Sequence, residues 1–159
     1  MKSTGQSTEP IALDPIRFEV IRSALTATTE GMAATLRRSA YSTNVKTRQD
    51  FSCAFLDSEL RVVAQAFTQP VHLGSFVELI PRAVRSYGVE NMGPGDMILV
   101  NDPHAGGTHL NDITLIAPVY YPGDPAGQPA GYLATLAHHV DVGGGAPASL
   151  GAFQEIYQE

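Results

Sequence analysis

The fold is decided by residues 97–120, MILVNDPHAGGTHLNDITLIAPVY, in which two apolar runs flank a polar, glycine-rich loop. The runs 97–100 and 113–120 are rich in residues that favour strands. A third run of this kind, 132–138, comes after the turn-forming segment 122–127, PGDPAG. The second part of the chain is therefore predicted to consist of strands joined by loops.

The part of the chain before this stretch carries helix signals. Asp14-Pro15 places a capping residue before a proline at the first helical position, where the missing N–H costs nothing. A helix to about Ala40 is predicted, with a core-facing stripe formed by Phe18, Ile21, Leu25, Met32 and Leu36. A second helix is predicted from Ser75, because residues 75–78 have the spacing of a capping box, to Tyr87. Gly88 is expected to end it, and Pro81 threatens a kink.

Two short apolar runs, 51–56 and 60–66, lie between these helices on either side of Asp57-Ser58-Glu59. This pattern predicts a β-hairpin with a short polar turn, and it places Cys53 in a strand. The expected fold class is α+β, with N-terminal helices followed by a mostly antiparallel or mixed sheet and glycine-rich site loops. Residues 1–13 are polar and poorly patterned, and they are expected to form a flexible N-terminus.

Composition excludes several classes of function. A chain of 159 residues that is 43% hydrophobic and 16% charged is typical of one globular unit. Its net charge of −6 and its lack of a long basic run argue against nucleic-acid binding. The single cysteine, the polar start and the lack of an apolar stretch near the roughly 20 residues that span a bilayer predict a cytoplasmic protein with no membrane role.

Histidines and aspartates cluster around the predicted strand ends. The side chains are those of Asp102, His104, His109, Asp112, His138, His139 and Asp141. Imidazole and carboxylate groups suit Zn²⁺, Mn²⁺ or Fe²⁺, and a His-x-x-Asp spacing occurs twice, at 109–112 and 138–141. Two strand ends can thus converge on one ion, provided that residues 109–112 are not a regular strand. Local capping of turns by the same side chains is the competing interpretation.

Other polar groups have simpler interpretations. Basic residues in 37–50 either attract an anion or offset the negative end of a helix dipole. Cys53 and His72 are interpreted as structural, because the thiol has no evident base nearby in the sequence and His72 has apolar neighbours. There is no phosphate loop, nucleophile elbow or Cys-x-x-Cys pair.

Several motifs together resemble, in order, the opening third of the hydantoinase B/oxoprolinase family. They are RRSAYS at 37–42, DFSCA at 50–54, VHLGS at 71–75, NDP at 101–103, GGTHLND at 106–112 and AHHVDVGG at 137–144. The resemblance extends over roughly residues 14–159. Family subunits are several times longer, so the chain is expected to be the N-terminal part of such a domain, truncated at its C-terminus.

The resemblance implies ATP-dependent hydrolysis of cyclic amides such as hydantoins and 5-oxoproline. In related enzymes it implies ATP-dependent carboxylation of ketones such as acetone. ATP binding is assigned to a hydantoinase A-type partner subunit, which agrees with the lack of a phosphate loop in this chain. A third interpretation is a catalytically inert fragment that only binds metal or partner.

The resemblance also implies a divalent metal, Mn, Zn or Fe, with His109, Asp112 and His138 as its ligands. The position after the first histidine of the second motif is loosely specified in the family, which favours His138 over His139. Four further residues are expected to orient the ligands or contact the substrate: Asp102, Asp141, His139 and Asn111. The metal is expected to polarise a carbonyl or enolate oxygen or to acidify a water molecule while the partner phosphorylates the substrate. No catalytic residue is indicated.

Overall fold

The computed structural model describes residues 14–123 and 127–158, in which helices pack against a five-stranded antiparallel sheet. The helices are α1 (Pro15–Ser39), α2 (Thr43–Lys46) and α3 (Pro70–Tyr87). The strands are β1 (Phe51–Asp57), β2 (Val62–Gln65), β3 (Ile98–Val100), β4 (Asp112–Val119) and β5 (Gly131–His138). The α+β class is confirmed. The predicted flexible segment 1–13 and part of the predicted turn 122–127 lie outside the described residues.

The order of the strands brings three strand ends together. The order across the sheet is β2-β1-β5-β4-β3, so β5 lies between β1 and β4. Phe51 at the start of β1 pairs with Ala137, and Asp112 at the start of β4 pairs with His138 at the end of β5. The beginnings of β1 and β4 therefore meet the end of β5 at one end of the sheet.

Helix α3 covers one face of the sheet. Phe76, Ile80 and Val84 are fully buried on its inner side, against sheet residues that include Leu56, Ile116, Tyr132 and Leu136. Burying an apolar side chain of this size contributes about 1.5–3 kcal/mol relative to leaving it exposed. This face holds the larger of the two core clusters formed by residues 14–123 and 127–158.

The predicted start of α3 at Ser75 is wrong, because the helix begins at Pro70. Proline at the first position is already set for helical backbone, and no side chain caps the preceding Gln69. The Ser75 hydroxyl donates instead to the carbonyl oxygen of His72 at 2.8 Å. The predicted end is confirmed, with Gly88 at a φ of 90° and its N–H bonded to Val84. The helix continues past Pro81.

Helix α1 packs on the opposite face but covers only part of it. Its predicted start and its cap by Asp14 are confirmed, as is the β1–β2 hairpin. Thr29 and Ala33 are buried on its inner side, whereas Phe18 and Ile21 are 50% and 53% exposed. The prediction that the whole stripe lies in the core is therefore wrong for its first turns. A helix of 25 residues is about 37 Å long and extends beyond the short strands that it covers.

None of the helices within residues 14–123 and 127–158 has the length and apolar character needed to cross a membrane. The cytoplasmic location expected from the sequence stays a prediction.

Candidate metal centre

The centre forms where the loop before β4 meets the end of β5. Asp112 is the first residue of β4 and His138 is the last residue of β5, and the two are direct cross-strand partners. His109 lies in a turn, because the Asp112 N–H donates to the His109 carbonyl oxygen at 3.1 Å. The backbone at 109–112 is thus not a regular strand, as a shared site requires, and both side chains reach the same side.

Three side-chain atoms form a nearly equilateral triangle. His138 Nδ1 lies 3.0 Å from Asp112 Oδ1 and 3.0 Å from His109 Nε2, and His109 Nε2 lies 3.1 Å from Asp112 Oδ1. Metal–ligand bonds of about 2.0–2.2 Å in tetrahedral or octahedral geometry place neighbouring donor atoms about 3 Å apart. Two imidazole nitrogens and a carboxylate oxygen at these separations have the chemistry and spacing of a divalent-cation site. Metal binding itself stays a prediction.

Two further residues extend the centre: His72 approaches the Asp112 carboxylate, and Asp50 approaches His72. His72 Nε2 lies 3.5 Å from Asp112 Oδ2 and 3.5 Å from Asp50 Oδ1. His72 is 3% exposed and stands in the first turn of α3, on the side that faces the sheet. Asp50 immediately precedes β1, and its carbonyl oxygen accepts from the His138 N–H at 3.0 Å. The start of β1, the end of β5 and the start of α3 therefore meet at the start of β4.

The charge of the centre is set mainly by Asp112. Burial alone would raise the pKa of its carboxyl group, but the contacts with the His109 and Thr108 side chains and the electrostatic effect of the His109 and His72 imidazoles lower it to about 2. Burial lowers the pKa of His72, although the charges of Asp112 and Asp50 oppose the shift. At neutral pH the centre thus holds a buried carboxylate beside an uncharged His72. A buried negative charge of this kind is stabilised by a cation.

Not every predicted site residue joins the centre. Asn111 is buried behind it, and its side-chain amide donates to the His139 carbonyl oxygen at 2.9 Å. The side chain of His139 is exposed. Asp102 and Asp141 are exposed as well, and each accepts from a backbone N–H two residues ahead, His104 and Gly143 respectively. These two aspartates cap local turns, as the competing interpretation expected.

Sequence reasoning missed His72 and Asp50 as members of the centre. The apolar neighbours of His72 suggest a structural role, and the capping-box spacing at 75–78 predicts a helix that begins after it. The signal that was available is Gln69-Pro70. A helix that begins at Pro70 places His72 four residues before the buried Phe76, on the same face. No local signal marks Asp50, because its position depends on the pairing of β1 with β5.

Two other polar features have no contact with the triangle among the bonds described. Arg37 and Arg38 stand in the last turn of α1, and Arg37 Nε donates to the Lys46 carbonyl oxygen at 3.2 Å. Cys53 is fully buried under α1. Burial, together with the negative charge of Glu30, raises the pKa of its thiol to about 12, so the thiol stays protonated and unreactive.

Comparison with known proteins identifies the family of this chain. The family model described as hydantoinase B/oxoprolinase matches residues 14–159. The chain belongs to this family. The resemblance seen in the sequence motifs is thereby confirmed.

Relatives of this hydantoinase B/oxoprolinase chain are much longer. An uncharacterized protein of Methanocaldococcus jannaschii is 45% identical over 150 residues, which are 92% of this chain and 26% of that protein. The 5-oxoprolinase of Saccharomyces cerevisiae is 38% identical over 159 residues, which are 99% of this chain and 12% of that protein. Caprolactamase subunit beta of Pseudomonas jessenii is 30% identical over 148 residues, which are 92% of this chain and 25% of that protein. The chain thus spans a quarter or less of the lengths of the last two relatives.

Solved structures share the fold. Nucleotide-free acetone carboxylase has a TM-score of 0.73 at 20% identity and covers 82% of this chain and 17% of its own. At that identity the likeness concerns the fold alone. ATP-dependent caprolactamase from Pseudomonas jessenii has a TM-score of 0.69 at 28% identity and covers 86% of this chain and 23% of its own.

Proposed function

We propose that this chain is the metal-binding N-terminal part of an ATP-dependent cyclic amide hydrolase subunit of the N-methylhydantoinase/5-oxoprolinase type. The convergence of His109, Asp112 and His138 on one triangle carries the proposal. Membership of a family whose relatives include a 5-oxoprolinase and a caprolactamase subunit supports the choice of substrate class. The proposed partner is a hydantoinase A-type subunit that binds ATP, since this sequence has no phosphate loop.

The residues of the triangle have distinct tasks in this proposal. Asp112 supplies the negative charge, and His109 and His138 supply neutral donors for Mn²⁺, Zn²⁺ or Fe²⁺. When bound, the metal would supply a positive charge that polarises an amide carbonyl or acidifies a water molecule. Thr108 holds the second oxygen of Asp112 through its hydroxyl group, which leaves Oδ1 directed at the two imidazoles.

Metal analysis of the purified chain tests the centre. The wild-type chain is expected to retain about one equivalent of Mn²⁺, Zn²⁺ or Fe²⁺ after dialysis, measured by mass spectrometry of the elements. Asp112→Asn and His109→Ala are expected to lose it, because the first removes the negative charge of the site and the second removes one of its three donors. His139→Ala is the matched control, since it deletes an imidazole whose side chain is exposed and lies next to His138 in the sequence. Equal metal content in all four proteins would contradict the assignment.

Turnover with the partner tests the reaction. The chain is mixed with an ATP-binding subunit of the family, and release of ADP is measured with hydantoin, 5-oxoproline or caprolactam as substrate. ADP release that depends on a cyclic amide and not on bicarbonate supports the proposal. Release that requires both acetone and bicarbonate would replace it with the ketone carboxylase alternative. No release in any combination, from a chain that retains metal, would favour the inert fragment.

A further inference from the structure

The segment that follows β5 returns to the centre and places a serine hydroxyl behind His109. Pro147–Ser149 forms a single 3-10 turn in which Ala148 and Ser149 have φ values of 55° and 57°. Left-handed backbone at a residue other than glycine costs on the order of 1–2 kcal/mol and persists only where neighbouring contacts hold it. The contacts here include the backbone hydrogen bond from the Ala148 N–H to the Val140 carbonyl oxygen and those of Ser149 Oγ, which lies between His109 Nδ1 and Asn111 Oδ1.

The orientation of Asn111 follows from its hydrogen bonds. The side-chain nitrogen Nδ2 of Asn111 donates to the His139 backbone carbonyl oxygen at 2.9 Å. The backbone carbonyl oxygen of Asn111 accepts from the His139 N–H at 2.8 Å. An amide nitrogen only donates and a carbonyl oxygen only accepts. The side chain is therefore oriented with Oδ1 toward Ser149. Since Asn111 is 1% exposed, water does not compete for this oxygen.

The proton of the Ser149 hydroxyl is then assigned by elimination. Ser149 Oγ lies 2.7 Å from Asn111 Oδ1, which cannot donate, so the serine donates its only proton there. Toward His109 Nδ1, 3.2 Å away, the same hydroxyl oxygen can act only as an acceptor. Nδ1 must therefore carry a hydrogen for this contact to be a hydrogen bond. In a neutral imidazole the lone pair is then on Nε2, the atom that belongs to the triangle.

We propose that Ser149 is a positioning residue that, oriented by Asn111, holds His109 in the tautomer with its proton on Nδ1. The Nε2 lone pair is thereby directed at Asp112 Oδ1 and His138 Nδ1, where a cation would be held. Asp112 competes for the opposite tautomer, because its carboxylate accepts readily from an Nε2–H. The consequence for metal affinity rests on the proposed function, whereas the tautomer itself does not.

The tautomer is tested by long-range ¹H–¹⁵N NMR of the imidazole rings in the metal-free chain at pH 8. In the wild type, the ¹⁵N shifts of His109 are expected to report a hydrogen on Nδ1 and a lone pair on Nε2. In Ser149→Gly the balance is expected to move toward the Nε2-protonated form. Glycine adopts the backbone of residue 149 without strain, so this variant loses the hydroxyl without a penalty for its conformation. Ser39→Ala removes a hydroxyl that bonds only to helix carbonyl oxygens among the bonds described, and it is expected to change nothing.

Metal titration provides the second readout. Zn²⁺ and Mn²⁺ are expected to bind Ser149→Gly about 10- to 100-fold more weakly than the wild type, the usual effect of removing the partner of a ligating histidine. Asn111→Ala is expected to weaken binding similarly, and the double variant no further, because the two residues act in series. Wild-type tautomer and wild-type affinity in Ser149→Gly would overturn the inference. If the wild-type chain binds no metal, the proposed function fails, and the tautomer experiment still decides the role of Ser149.

Discussion

His72 shows how the surroundings of one side chain change its chemistry. Its imidazole extends from the first turn of α3 and is buried against β1, where Nε2 faces two carboxylates and Nδ1 lies 3.4 Å from Ser52 Oγ. Ser52 in turn accepts from the Thr68 hydroxyl at 2.9 Å. Burial outweighs the attraction of the carboxylates and lowers the pKa of His72. The neutral ring is therefore the form that the folded chain favours.

This shift predicts a dependence of stability on pH. Because the folded-state pKa lies below the ordinary value of 6.5, the unfolded chain binds the His72 proton more readily than the folded chain does. The free energy of unfolding is expected to fall as the pH drops through 6.5 toward the folded pKa. His72→Gln is expected to flatten this fall, measured by urea unfolding of the metal-free chain at intervals from pH 8 to 5.5.

The control for this experiment is His139→Gln, which replaces an exposed imidazole. It is expected to leave the slope of stability against pH as in the wild type. A wild-type slope in His72→Gln would mean that other groups carry the acid sensitivity, and the prediction would be wrong.

At the scale of the element, α3 connects the core to the centre. Its inner face begins with His72 beside Asp112 and continues with apolar side chains against the sheet. The side chains of Phe76, Leu79 and Ile80 are fully buried, whereas Val77 between them is 67% exposed. Any loss of packing along this face also loosens the support of His72.

A pair of adjacent substitutions on α3 tests this arrangement. Phe76→Ala is expected to lower the free energy of unfolding by about 3–5 kcal/mol, since it leaves a cavity in the larger core cluster. Val77→Ala, one residue further along and exposed, is expected to change it by less than about 0.5 kcal/mol. Chemical denaturation of both variants provides the measurement. Similar losses for the two would show that α3 does not pack as described.

At the scale of the whole molecule, the two faces of the sheet are covered unequally. Helix α3 protects one face, while on the other face α1 packs against β1 and β2. An apolar surface remains around Met97, Leu99 and Leu115, which are 64%, 65% and 40% exposed. A hollow of about 200 Å³ lies within it, lined in part by Leu133. Clustered apolar side chains at a protein surface can bind apolar molecules.

This surface predicts that the purified chain binds a hydrophobic dye. Fluorescence of anilinonaphthalene sulfonate is expected to rise on addition of the folded chain and to fall by at least half in the double variant Leu99→Thr, Leu115→Thr. Leu150→Thr is the control, because that side chain is 80% exposed and does not line the hollow. Circular dichroism checks that the variants remain folded. A chain that binds no dye, or a double variant that binds as much as the wild type, would contradict the prediction.

What the sequence determined by itself concerns features that depend on near neighbours. Several elements follow from side chains within a few residues of one another. They are the cap of α1 at Asp14, the β1–β2 hairpin, the three later strands and the end of α3 at Gly88. The sequence predicted that His109 and Asp112 share a site for the same reason, because one turn connects them. The spacing alone did not separate these residues from Asp141, which has the same relation to His138 and instead caps a turn.

Only the tertiary structure decided which distant side chains meet. The register of β4 on β5 places Asp112 opposite His138, and the pairing of β1 with β5 brings Asp50 to the same end of the sheet. The docking of α3 adds His72, and the left-handed turn after β5 adds Ser149. These contacts join residues 22 to 88 positions apart, where the exclusion of water from the core, and not local backbone preference, selects the arrangement.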